Sequence, residues 1–226
     1  EPSVANAIQL SGKELSFNNI YDINAAFETV KEFAGSENDM PAAVIVKHTN
    51  PCGAALSPTL AGAFLAAREG DPISAFGGIL AVNCTLDTAT AEEITGKNTF
   101  FEAIIAPDFE VDAIEILTTR KKWGANLRLL QSLSLSNWKT FADGQDYKRV
   151  TGGLLVQARD LKDLVHEDLR VVTDRVPTDR EIEELLFAWK ICKHTKSNAI
   201  VFTKDKTVVG VGAGQMNRVR SVRLAA

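Results

Sequence analysis

The fold is decided by the stretch Ala42-Ala43-Val44-Ile45-Val46-Lys47-His48-Thr49-Asn50-Pro51-Cys52-Gly53. Its first five residues are apolar and three of them are β-branched, which indicates a buried strand. The proline is then expected to break regular structure, with a helical segment following Gly53. Ligands of open α/β sheets bind outside the carboxyl ends of strands, so Lys47 and His48 mark the candidate site. The alternative is a purely structural pair, and the stretch alone favours neither.

The bulk composition narrows the class of protein. The chain has 226 residues, 45% of them hydrophobic and 24% charged, which is typical of a soluble globular protein. Its net charge of -4 gives no overall basic field, which argues against a nucleic-acid partner. Three widely separated cysteines predict free thiols in a reducing compartment. We expect no membrane segment and a cytoplasmic location, or an organelle for a plant protein.

Short apolar strands alternate with amphipathic helices up to about residue 130, which predicts an α/β sheet, largely parallel or mixed. A helix is expected from the N-cap Asp22, and residues 71–78 are expected to be a loop. We interpret residues 1–157 as a first unit and the charged segment 158–177 as a connector. A capping box at Thr178 then begins a second unit, 178–226, with a helix and a hairpin. These two elements bury little core alone, so this unit is expected to be incomplete.

Two constellations suit chemistry at a strand end. A histidine that titrates near neutrality is the usual general base, and an adjacent lysine stabilises a developing oxyanion. Lys47 and His48 can share one site only where the chain turns, because neighbours on a strand point to opposite faces. Asn198 lies between a helix and a strand, where its amide suits orientation of a substrate amide. A turn-forming asparagine is the alternative.

Two further patterns are weaker. The glycines at 210, 212 and 214 lack the third glycine of a dinucleotide fingerprint, and no P-loop follows. Backbone amides there, beside Arg218, still suit an anion. Lys193-His194-Thr195 repeats the letters of Lys47-His48-Thr49. We expect this copy to be structural, because cationic residues favour the last turn of a helix.

The chain resembles a known family. Residues 47–53 are similar to the Lys-His-x-Asn-Pro-x-Gly signature of aminoimidazole-carboxamide ribonucleotide (AICAR) transformylase, the larger domain of a bifunctional purine-biosynthesis enzyme that also has an inosine monophosphate (IMP) cyclohydrolase domain. Further segments match in order, so the resemblance covers essentially the whole chain: 71–78, 104–107, 152–157, 196–201 and 210–219.

The resemblance implies transfer of the formyl group of 10-formyltetrahydrofolate, as co-substrate, to the 5-amino group of AICAR. His48 matches the family's general base and Lys47 the residue that stabilises the oxyanion. Asn198 matches a residue that orients the reacting groups. The remaining matches are substrate-binding positions: Phe76, Gly77, Glu102, Arg218 and Val219. At Glu102 some members carry Asp, so a role with the ribose hydroxyls or the amine is an expectation only.

The resemblance also implies architecture and partners. Its fold consists of cytidine-deaminase-like three-layer α/β units in tandem, of which the first would be present and the second only begun. No zinc is expected, because His48-Thr49-Asn50 lacks the deaminase glutamate and Cys52 lacks a Cys-x-x-Cys partner. Members pair as homodimers with sites at the interface. Two family segments with substrate contacts and the cyclohydrolase domain are absent, so we expect the chain to be inactive alone.

Two other functions stay open. One is a non-catalytic purine-nucleotide-binding α/β module. Replacement of His48 distinguishes the two, because only in the enzyme would it abolish formyl transfer while AICAR binding is roughly retained. The other is a deaminase-like hydrolase, which stoichiometric zinc would favour.

Overall fold

The structure is a computed structural model that describes residues 2–35, 39–136, 138–141 and 144–226, except for the side chain of Phe141. Within these residues the strands are β1 (Ile8–Ser11), β2 (Ala42–Lys47), β3 (Asn50–Leu56), β4 (Gly78–Val82), β5 (Phe101–Ala106), β6 (Arg128–Gln131), β7 (Gln145–Val150), β8 (Gly153–Ala158), β9 (Ile200–Lys204) and β10 (Thr207–Gly212). The helices are α1 (Phe17–Lys31), α2 (Leu60–Gly70), α3 (Pro72–Ala75), α4 (Thr88–Ile94), α5 (Val111–Thr119), α6 (Asp179–Lys193) and α7 (Arg218–Ala225). No helix in the described ranges is both long and apolar enough to cross a membrane.

Eight of the described strands form one mixed sheet in the order β1-β6-β5-β4-β2-β3-β10-β9. Strand β5 pairs in parallel with β4 and β6, whereas the other neighbours in the sheet are antiparallel. The predicted α/β class is therefore confirmed, in its mixed form. Strands β7 and β8 form a separate antiparallel hairpin whose residues are exposed.

Strand β2 is buried on both faces. Ala43 and Ile45 belong to a core between the sheet and α2, α4 and α5. Ala42, Val44 and Val46 point the other way, into a core that α1 and α6 cover. Because side chains alternate along a strand, one apolar run supplies both cores. The helices thus flank the sheet on both sides, while the tandem deaminase-like arrangement stays a prediction.

The strand after the turn corrects the sequence interpretation. Regular structure does not break at the proline, because Asn50–Leu56 is a strand that pairs antiparallel with β2. Pro51 faces Val46 where the register shifts between Ile45 and Val46. A bulge tolerates a residue that has no N–H to donate to the ladder. The helical segment expected after Gly53 is α2, which begins at Leu60 as predicted.

Helix α1 also begins earlier than predicted. Its N-cap is Ser16, which forms a reciprocal capping box with Asn19, so Asp22 lies inside the helix and is not its N-cap. The predicted apolar face is confirmed, since the residues at helical spacing are buried: Ile23, Ala26, Phe27, Val30 and Phe33.

The sheet continues into the segment that follows residue 178. Hairpin β9–β10 is confirmed and pairs with β3, and Thr178 forms the predicted capping box with Glu181. Phe187 and Val208 pack in the same core as Ile23. Part of the apolar surface of this segment is thus buried in that core, whereas Leu185 and Trp189 of α6 are exposed. The boundaries 1–157, 158–177 and 178–226 stay predictions.

An ionic contact joins the ends of α1 and α6. Glu32 Oε1 lies 2.8 Å from Lys193 Nζ and 3.0 Å from His194 Nε2. Lys190 Nζ also donates to the Glu32 backbone oxygen at 2.6 Å. The second Lys-His-Thr copy therefore lies at the end of a helix, as expected, with both side chains in a helix-to-helix contact. Burial alone would raise the pKa of Glu32, but His194 and Lys193 outweigh it and lower the pKa to about 2.

Gly53 is required by a close approach between β3 and α2. A Cβ at this position would lie 2.0 Å from the Ala67 backbone oxygen, so the Gly53→Ala variant must displace the helix. We expect the free energy of unfolding to fall by about 2 kcal/mol, as overpacked cores do. Urea unfolding measures this. Gly144→Ala is the control, since no described atom lies within 4 Å of its added Cβ. Equal stability of the two variants would contradict the packing described.

The Glu32 contact predicts a pH effect on stability. Because its pKa in the folded protein is about 2, below the ordinary value of 4.5, its stabilisation is present above about pH 4.5 and is lost towards pH 2. Glu32→Gln should therefore lose less stability than the wild type as the pH falls through that window. Urea unfolding at several pH values measures how steeply the free energy of unfolding changes with pH. Glu93→Gln is the control, because Glu93 is exposed. A Glu32→Gln slope equal to that of the wild type would refute the assignment.

Candidate active site

The predicted pair lies at the tip of hairpin β2–β3. Lys47 is the last residue of β2 and pairs with Asn50. His48 and Thr49 form the two-residue turn between them, with φ angles of 51° and 62°. The chain thus turns directly after Lys47, which is the condition for the pair to share a site. The His48 side chain is exposed at this tip.

Backbone carbonyls hold the Lys47 ammonium in place. Its Nζ donates to the Phe76 oxygen at 2.9 Å and to the Gly77 oxygen at 3.0 Å. An ammonium has three N–H donors, so one remains for a substrate oxygen. Gly77 has a φ of 72°, and a Cβ there would lie 3.0 Å from Lys47 Nζ. This position therefore favours glycine, for its backbone conformation and for the approach of the lysine.

The loop that carries these carbonyls differs from the predicted one. Residues 71–78 contain the short helix α3, which Asp71 caps at the Ser74 N–H. The Gly77 N–H donates to the Phe100 oxygen at 2.8 Å, and the Phe76 ring lies 5.5 Å from the Phe100 ring. About half of Phe76 remains exposed. The loop thus presents an aromatic surface beside Lys47.

The position of the site in the sheet departs from the general rule for parallel sheets. Strand β2 runs antiparallel to β4, with Val46 opposite Ile79, and β4 runs parallel to β5. The carboxyl end of β2 therefore lies beside the amino ends of β4 and β5. The candidate site thus lies at the carboxyl end of β2, where the rule predicts it, but at the amino ends of the neighbouring strands β4 and β5.

A second part of the candidate site follows α6. Asn198 donates to the Gln215 oxygen through its backbone N–H at 3.0 Å and through Nδ2 at 2.9 Å. Its Oδ1 accepts from Arg218 Nη2 at 3.4 Å. Arg218 begins α7, where it and the neighbouring Val219 are exposed. The structure therefore brings Asn198, Arg218 and Val219 into one region.

Asn50 joins the two parts, and sequence reasoning missed it. Its Nδ2 donates to the His48 oxygen at 3.0 Å, while its Oδ1 accepts from the Lys196 N–H at 3.1 Å. Lys196 lies two residues before Asn198. The available signal was a polar side chain directly after the turn, within the opening stretch.

Glu102 lies near the start of β5, whose Phe101 pairs with Gly78. Its Oε2 accepts from Arg128 Nη1 at 3.1 Å, and Arg128 is mostly buried. One carboxylate oxygen is therefore engaged by a neighbouring strand. Glu102 thus lies near the loop that contains Gly77. Among the contacts of the described residues, none joins Glu102 directly to Lys47 or His48.

Cys52 does not take part as a thiolate. Burial, and secondly the Asp71 carboxylate, raise its pKa to about 12. Its Sγ lies 3.5 Å from the Ile45 backbone oxygen, as a thiol donor would. In the described portion of the chain, no group of three or more His, Cys, Asp or Glu residues is arranged to hold a metal ion.

The chain matches known proteins along its whole length. The family model of the AICARFT/IMPCHase bienzyme matches residues 1–226. The bifunctional purine biosynthesis protein PurH of Magnetococcus marinus is 52% identical over 226 residues, all of this chain and 40% of that protein. PurH of Persephonella marina is 50% identical over 223 residues, 99% of this chain and 40% of that protein. PurH of Cereibacter sphaeroides is 53% identical over 225 residues, 100% of this chain and 41% of that protein.

The chain thus spans about two fifths of the length of these relatives. The family match includes both parts of the candidate site, from the hairpin tip to α7. The resemblance seen in the sequence motifs is therefore confirmed, and the chain belongs to the AICARFT/IMPCHase bienzyme family.

Proposed function

We propose that the protein containing this chain transfers the formyl group of 10-formyltetrahydrofolate to the 5-amino group of AICAR, in purine biosynthesis. The observation that carries the proposal is the Lys47 ammonium, held by the carbonyls of Phe76 and Gly77 beside the exposed His48. Family membership and the purine biosynthesis proteins among its relatives support the same reaction.

The residues suit each step of a formyl transfer. The AICAR amine is a poor nucleophile, because its lone pair is delocalised into the ring and carboxamide. Its nitrogen attacks the formyl carbon as His48 accepts the amine proton. The formyl oxygen becomes an oxyanion, to which the remaining N–H of Lys47 donates. The bond from the formyl carbon to N10 of the folate then breaks, and the proton returns from His48 to N10.

The other residues serve as substrate contacts in this proposal. Asn198, fixed by Gln215 and Arg218, orients the reacting groups. Arg218 offers its guanidinium to an anionic group of a substrate, and Val219 lies next to the folate. Phe76 and Gly77 contact AICAR from the loop that holds Lys47. Arg128 binds one carboxylate oxygen of Glu102. The other oxygen accepts a hydrogen bond from the ribose hydroxyls or the amine of AICAR.

The proposal applies to the whole protein as a homodimer with sites at the interface. This chain spans about two fifths of the length of its relatives. We therefore expect no turnover from the chain alone. The folate is a co-substrate, and the mechanism requires no zinc.

Replacement of His48 tests the proposal. In the full-length protein, His48→Ala should lower kcat for formyl transfer by about 10²-fold or more, because the general base is removed. AICAR affinity should stay within about threefold, because the loss falls on the reaction and not on binding. Formyl transfer is followed by tetrahydrofolate release, and affinity by calorimetry.

His166→Ala is the matched control, since His166 is also exposed and lies outside the site. It should retain wild-type kcat. Unchanged transfer by His48→Ala would remove His48 from the mechanism. AICAR binding without any transfer by the wild-type protein would favour a non-catalytic nucleotide-binding module.

A further inference from the structure

The turn that carries His48 has a left-handed backbone conformation that is uncommon for residues other than glycine and least favourable for Thr49. Both His48 and Thr49 have positive φ angles, 51° and 62°. Two-residue hairpin turns of this kind prefer Asn and Gly, and a β-branched residue such as Thr49 is an outlier in the left-handed region. Such conformations persist where the surrounding structure stabilises them, and they cluster at functional sites.

Helix α1 supplies one stabilising contact. The Asp22 Oδ1 accepts the Thr49 N–H at 2.8 Å, across 27 residues of chain. Hydrogen bonds with an ionised acceptor are roughly twice as strong as neutral ones. The next residue, Ile23, is fully buried in the core beneath the sheet. Asp22 therefore connects the turn to a helix that the core holds in place.

Asn50 supplies the contact on the other side of the turn. Its amide donates to the His48 oxygen and accepts the Lys196 N–H, as described above. One side chain thereby sets the turn relative to the loop that leads to Asn198. The Lys196 oxygen in turn accepts the Gly214 N–H at 2.7 Å, which ties this loop to the segment before α7.

We propose that Asp22 and Asn50 are positioning residues. They fix the position of His48 relative to the proposed reacting groups and relative to Asn198. The inference rests on the proposed function and deepens it. Neither residue needs to touch a substrate. Each acts through a backbone group of the turn, and small displacements of a catalytic group cost as much as about a hundredfold in rate.

Asp22 variants test the first contact in the full-length protein. Asp22→Ala removes the acceptor and should lower kcat about tenfold or more, with KM for AICAR within about threefold. Asp22→Asn keeps an Oδ1 acceptor and should stay within about threefold of the wild-type kcat. Asn24→Ala is the matched control, because Asn24 is an exposed polar residue of the same helix.

Asn50 variants separate its two bonds. Asn50→Ala loses both and should lower kcat about tenfold or more. Asn50→Asp keeps an acceptor for the Lys196 N–H but cannot donate to the His48 oxygen. It should therefore lower kcat while leaving the Lys196 amide protected.

Amide hydrogen exchange gives a readout that does not depend on turnover. Thr49 should exchange at least about tenfold faster in Asp22→Ala, at an intermediate rate in Asp22→Asn because a neutral acceptor binds more weakly, and at the wild-type rate in Asn24→Ala. Lys196 should exchange faster in Asn50→Ala only. Thermal unfolding of each variant shows whether the remainder of the protein stays folded.

Wild-type kcat in Asp22→Ala and Asn50→Ala would overturn the positioning role. So would unchanged exchange at Thr49 and Lys196, or an Asp22→Asn variant as impaired as Asp22→Ala. If the wild-type protein transfers no formyl group, the proposed function fails, and the exchange rates alone decide whether the two side chains hold the turn.

Discussion

The structure depends on the burial of β2 on both faces. Its alternate side chains enter two cores, which requires helices on both sides of the sheet and neighbours along both edges of the strand. Polar residues cannot enter such a strand without cost, so the chain first exposes a cation at Lys47, where the strand ends. The same constraint that forms the three layers thus delivers Lys47 and His48 to the surface at one point.

Contacts from neighbouring segments fix the side chain of Lys47 and the turn that carries His48. The carbonyls of Phe76 and Gly77 orient the ammonium, and Gly77 leaves room for it. Asp22 and Asn50 hold the turn from two directions. In the proposed reaction, donors fixed by such protein contacts need little reorganisation when charge develops, which is how preorganised donors contribute most to catalysis.

Local patterns predicted much of the fold. The apolar run of β2, the buried face of α1, the capping box at Thr178 and hairpin β9–β10 follow from periodicity and end signals. The errors came from competing local signals. Pro51 resembled a strand breaker because a bulge is not visible in sequence. Asp22 resembled an N-cap because it directly precedes the apolar stripe, whereas the helix begins with a polar turn that Ser16 caps. For the site, adjacency predicted Lys47 with His48. The contacts of Asp22 and Asn50 span 27 and 146 residues, so no local pattern contains them.

In the proposed reaction, Lys47 is oriented by two backbone carbonyls and stabilises the oxyanion of the formyl transfer. The most direct test is kcat of the full-length protein with Lys47→Met, which keeps the length of the side chain and removes its charge. We expect kcat to fall by about 10²- to 10³-fold with little change in AICAR affinity. A kcat near that of the wild type would contradict it.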